Sequence, residues 1–212
     1  MKQRLRQILL TTLYAYGALA YAGDPADLVA PLQAQWADIK YQRPQAQQAE
    51  LYHALALQAR QVAQAHPGQA EPLVWEGIAL SSEAGARGGL GALSLAKEAR
   101  QRFDAANQIN DQALNAAAST SLATLYAKVP GWPLGFGDKA KAEVLFKQAL
   151  AVAPHDIDAN YFYGDFLAGQ GRTADAVIYL QAALRSDARP GRALADQGRR
   201  QEIAALLAQL KS

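Results

Sequence analysis

A spacing of 34 residues near the C-terminus constrains this chain most. Ala142, Phe146, Ala149 and Leu150 recur 34 positions later as Ala176, Leu180, Ala183 and Leu184, and a period of about 34 residues is that of a stacked helix–turn–helix unit. In the second copy Gly164, Leu167 and Gly171 mark the preceding helix. Small residues at Gly164, Ala176 and Ala183 suit places where helices cross too closely for a long side chain. Such a unit cannot bury its own apolar stripe, so copies must stack. An Ala-rich chain with 8% aromatic residues suits a stack of this kind better than a thick globular core.

These residues resemble the tetratricopeptide-repeat consensus, with Gly164 at position 8, Leu167 at 11, Gly171 at 15, Ala176 at 20 and Ala183 at 27. The resemblance implies an all-α, tetratricopeptide-like right-handed α-solenoid of about three to four helix pairs with a C-terminal capping helix. It also implies a scaffold that holds partners and does no chemistry.

The N-terminus reads as a secretory signal peptide. Lys2, Arg4 and Arg6 precede a mainly apolar stretch, Ile8 to Ala20, that is too short to span a bilayer, and Ala20-Tyr21-Ala22 is a small-x-small cleavage site. Cleavage after Ala22 would leave 23–212 as a single periplasmic repeat domain, with contact to a membrane only through an uncleaved signal peptide. The 21 basic residues include three in this segment, so the remaining 18 face 19 acidic ones and the formal net charge moves from +2 to −1. A nucleic-acid partner therefore loses its electrostatic basis. With zero Cys there is no disulfide framework, thiol catalyst or lipid-anchored cysteine.

Helical punctuation divides the chain into repeats near 26–67, 70–111, 112–154 and 157–190, followed by a polar-faced capping helix over 192–210. Phe103 and Ala106 precede Phe146 and Ala149 by 43 residues rather than 34, which places nine additional residues in a turn. Two stretched turns are expected, Ser82 to Gly91 and Val129 to Asp138, at equivalent places in successive repeats, and long loops in compact repeats are commonly functional. Side by side on one edge they would build a composite ligand or partner site. The first offers glycines and Arg87 ahead of a helix, an arrangement able to receive an anion. The second offers Trp132 and Phe136 on a Pro/Gly frame, able either to stack on a ligand or to plug the repeat interface, with Asp138 placed to cap the next helix.

Asn160 to Phe166 is the densest aromatic run; there Tyr163 and Phe166 should face the partner helix while Tyr161 and Asp165 take concave positions 5 and 9. Catalytic constellations are scarce. His53, His66 and His155 form no HExxH pair, Ser119 and Ser121 lack a Gly-x-Ser-x-Gly elbow, and no cofactor or metal set is read. Asp156 and Asp158 follow Pro154 as helix caps, and near the end Arg189, Arg192, Arg199 and Arg200 form a basic cluster able either to contact an acidic partner or to stand solvated.

The layout further resembles the periplasmic T-component family of TRAP transporters, on the strength of a secreted helical stack and the turn Gly135-Phe136-Gly137-Asp138 ahead of Lys139-Ala140-Lys141-Ala142. That resemblance implies solute uptake and a small, partly hydrophobic or anionic ligand. Two functions are thus expected. One is a non-enzymatic periplasmic scaffold binding a protein or peptide through its concave face and paired loops; the other is a small-molecule-binding accessory of a transporter, which needs an enclosed pocket.

Overall fold

The computed structural model describes residues 24–211; the expected signal peptide, 1–22, lies outside the described residues. A short 3-10 turn, Pro25–Val29, leads into α1 (Ala30–Gln42), α2 (Gln45–Ala65), α3 (Ala70–Arg87), α4 (Gly89–Ile109), α5 (Ala113–Lys128), α6 (Lys139–Val152), α7 (Ile157–Gly169), α8 (Thr173–Leu184) and α9 (Ala193–Gln209). Among the described residues no helix is long and apolar enough to cross a membrane.

The recurring residues are the inter-helix core. Ala99, Phe103, Ala106, Ala142, Phe146, Ala149, Ala176, Leu180 and Ala183 are all buried. Close approach needs the small slots: a Cβ on Gly77 would sit 2.5 Å from the Phe103 ring, and one on Gly164 would sit 2.8 Å from Leu180. Helix starts follow local chemistry too. Asp138 accepts from the Lys141 N–H at 3.0 Å, and Asp156 accepts from the N–H groups of Asp158 and Ala159 at 2.9 Å each, satisfying donors that a first helical turn leaves open.

The first stretched turn is not a loop. Helix α3 continues to Arg87 and α4 begins at Gly89, so the reversal falls on Gly88, at φ +63°. The sequence Ser-Glu-Ala-Gly-Ala-Arg carries strong helix formers, and the i, i+4 pair Glu83–Arg87, at 2.7 Å, holds the extra turn in helical register. Only Gly88 and Gly89, both at positive φ, allow the chain to turn so tightly. The paired-loop site is therefore replaced by one loop, 129–138, beside a pair of lengthened helices.

That remaining loop is folded on itself. The Gly137 N–H donates to Pro130 O and the Asp138 N–H to Tyr126 O, both at 2.9 Å. A Cβ on Gly137 would lie 1.9 Å from Val129 O, so glycine is required there.

The ends of the stack meet. Tyr41 of α1 lies against α9, where a Cβ on Gly198 would fall 2.3 Å from its ring, and Lys40 pairs with Glu202 at 3.4 Å. The expected polar-faced cap is instead a helix whose Ala195, Asp196, Gly198, Arg199 and Ile203 are buried.

Candidate functional site: a cavity between the odd-numbered helices

Residues of the odd-numbered helices and of the segment before α9 line a partly open cavity of about 290 Å³, and the contact of α1 with α9 bounds it on one side. One wall is apolar: Trp36 from α1, Trp75 and Ile78 from α3, Leu114 from α5 and Phe162 from α7. Trp36 meets Trp75 edge-on at 6.2 Å and donates its indole N–H to Ser82 Oγ at 2.9 Å. Each ring is thereby fixed in orientation.

Charged side chains adjoin these rings: Arg192 lies over Trp75 at 5.4 Å and Arg199 over Phe162 at 4.6 Å. Asp158 accepts from Arg189 Nη1 and Arg199 Nε, at 2.7 Å each. Burial opposes its ionisation, but the guanidinium groups of Arg199 and Arg189 prevail and hold its carboxyl well below the usual range. Each arginine has a second acid: Arg189 bonds Asp196 at 2.7 Å and Arg199 bonds Glu202. Asp156 differs. Burial, and then the negative Asp158, push its pKa up.

Arg192 completes this group without an acid of its own. Among the described residues its guanidinium makes no hydrogen bond and no ion pair; it lies over the Trp75 ring at 5.4 Å. Burial, and then the neighbouring Arg189, lower its pKa. Two more lining residues carry buried polar atoms with no hydrogen-bond partner, Trp75 Nε1 and Thr120 Oγ1. Beside them Leu114, Asn115 and Ala116 hold left-handed backbone, at φ 50°, 60° and 57°, a conformation costing non-glycine residues about 1–2 kcal/mol each.

The residues expected to form a site are dispersed. Arg87 ends α3 and is paired with Glu83 and Glu50, so it presents no free cation at a helix N-terminus. Trp132 is 91% exposed at the loop tip beside Leu134, 74% exposed. Phe136 packs inward, edge-on to Tyr126 at 5.5 Å and beneath Arg100 at 4.5 Å, and so fills the stack. The Asp138 side chain is committed to capping α6. Tyr161 is covered by Arg199 at 4.3 Å and Asp165 pairs with Lys128 at 2.7 Å; Phe162, one residue on, reaches the cavity in their place. The reason is α9, which packs on α7 and takes up the Tyr161 face.

Residues 134–210 match the family model described as tetratricopeptide repeat. This part of the chain is similar to tetratricopeptide repeats. No curated protein matches the chain. The match spans α6 to α9, and with the helical architecture of the described residues it gives an all-α, tetratricopeptide-like solenoid. Tetratricopeptide repeats are generally non-enzymatic scaffolds that typically bind protein partners. Here the concave face that such repeats present is occupied at its mouth by α1 and α9.

Proposed function

We propose that the protein is a non-enzymatic periplasmic binding protein that holds a small organic ligand in its concave face. The observation that carries this reading is the contact of α1 with α9, which bounds a cavity of about 290 Å³. That size lies at the small end of ligand sites, which run about 300–1,000 Å³. It is too small for a partner helix of about 10 Å diameter. An apolar surface with a few fixed polar groups is the usual composition of such sites. This reading favours the accessory role in solute uptake over a scaffold working through its concave face.

The test is a thermal-shift screen of small organic metabolites against the parent and Ser121→Phe, which narrows the cavity. A ligand at 100 times its Kd adds about 2.7 kcal/mol, which is about 5–10 °C in a chain of this size. The expected hits raise the Tm of the parent and leave the variant unmoved. Hits that stabilise both equally would refute a cavity site.

A second contact has its own observation, the exposed pair Trp132 and Leu134 on a loop tied down by its own backbone hydrogen bonds. A protein partner in the periplasm docks there, outside the cavity. A pull-down from periplasmic extract comparing the parent with Trp132→Ala/Leu134→Ala checks it: a protein captured by the parent and lost by the variant is expected, and equal capture contradicts it. The compartment is checked by intact mass of the exported chain, expected to begin at Gly23.

A further inference from the structure

The Arg192 side chain is difficult to explain as structure. Its Nε is buried with no hydrogen-bond partner in a half-buried side chain, and buried polar groups are normally bonded. Its neighbours Arg189 and Arg199 share Asp158 and each hold a second acid, whereas Arg192 lies over Trp75 and feels Asp158, Asp196 and Asp156 only through space, with no hydrogen bond to any of them. Two other unpartnered polar groups, on Trp75 and Thr120, belong to residues of the same cavity. Trp36, Trp75, Ile78 and Phe162 give the same cavity its apolar surface.

We infer that the cavity binds a monoanionic organic acid with a flat or chain-like apolar body, its carboxylate held by Arg192 and its body lying against Trp36, Trp75 and Phe162. This rests on the reading of the cavity as a ligand site. A planar guanidinium can hold a carboxylate through two parallel hydrogen bonds. A single carboxylate is matched to a single open guanidinium: Arg189 and Arg199 are already hydrogen-bonded to Asp158, Asp196 and Glu202, whereas Arg192 bonds no acid. Asp156 and Asp158 in the same lining repel a dianion such as a phosphate monoester. The stacked position of Arg192 over Trp75 also keeps it beside the aromatic surface, so one residue joins the charged and apolar halves of the site.

The protein produced from the full 212-residue sequence is titrated with 3-phenylpropionate, its neutral amide 3-phenylpropanamide, and the cation 3-phenylpropylamine. Binding is read by Tm and by tryptophan fluorescence in a Trp132→Phe background, where the remaining tryptophans, Trp36 and Trp75, both line the cavity. The expected result is that the acid binds about tenfold or more tightly than the amide, from the loss of charge-assisted hydrogen bonds, and that the amine binds no better than the amide. Arg192→Gln removes the preference for the acid over the amide, and Arg192→Lys retains part of it. The unliganded Arg192→Gln protein should match or exceed the parent in Tm, because an unpaired half-buried cation has been removed.

Equal binding of acid and amide to the parent, or an unchanged preference in Arg192→Gln, would overturn the inference while leaving a ligand cavity. No response to any of the three at about 10 mM, far above the millimolar Kd expected of so small a compound, would sink the cavity reading and this inference with it. An unliganded Arg192→Gln that fails to fold, or melts more than about 5 °C below the parent, would mark Arg192 as structural and also overturn it.

Discussion

Asp158 shows how one carboxylate can organise a wall. It joins Arg189 and Arg199 from beyond its own helix, so Asp158→Asn leaves two partly buried cations with one acid each. Breaking such a pair typically costs about 3–5 kcal/mol, and because Asp196 and Glu202 remain, a loss of about 2–3 kcal/mol in urea unfolding is expected. Glu143 offers a milder test. Hydrogen bonds from Lys147 and Arg172 lower its pKa to about 2, so its contribution is present above the ordinary carboxylate range and is lost as pH falls from about 4.5 towards 2. Its exposed setting limits that to about 1 kcal/mol or less. Glu143→Gln should therefore narrow the difference in urea stability between pH 6 and pH 3, and an unchanged difference would count against the pairing.

At the scale of the elements, the small slots decide how near the helices come. Gly77 faces Phe103 so closely that Gly77→Ala must displace a buried ring; a loss of about 1–3 kcal/mol is expected, measured as a lower urea midpoint with an unchanged slope. Gly137→Ala, whose Cβ would meet backbone rather than a movable side chain, should unfasten the loop 129–138 and release Phe136 from Tyr126, seen as lost near-ultraviolet ellipticity. The helix pairs were legible because period and small-residue slots are local patterns: Ala142, Phe146 and Ala149 recur as Ala176, Leu180 and Ala183, and all are buried. The length of α3 was less so. Glycine at Gly85 looked like a loop, but the Glu83–Arg87 pair and its alanine neighbours outweigh one residue of low helix propensity.

The whole molecule turns on a contact between residues some 160 positions apart, Tyr41 with Gly198 and Glu202, and no period in the sequence announces it. For the same reason the cavity was not legible. Arg189, Arg192 and Arg199 appear in the sequence as a basic cluster near the C-terminus, and only the return of α9 to α1 turns them inward; Trp36 and Trp75, large aromatics in Ala-rich helices, are the signal that could have pointed to the cavity. Gly198→Leu should force Tyr41 off α9 and open the ring, shifting Trp36 and Trp75 fluorescence to the red and abolishing binding of 3-phenylpropionate, while far-ultraviolet helicity stays. The most direct measurement of the central claim is a crystal structure grown with saturating 3-phenylpropionate. The account predicts α1 seated on α9 and the carboxylate on Arg192 inside the cavity; an empty cavity, or a groove standing open with the acid elsewhere, would contradict it.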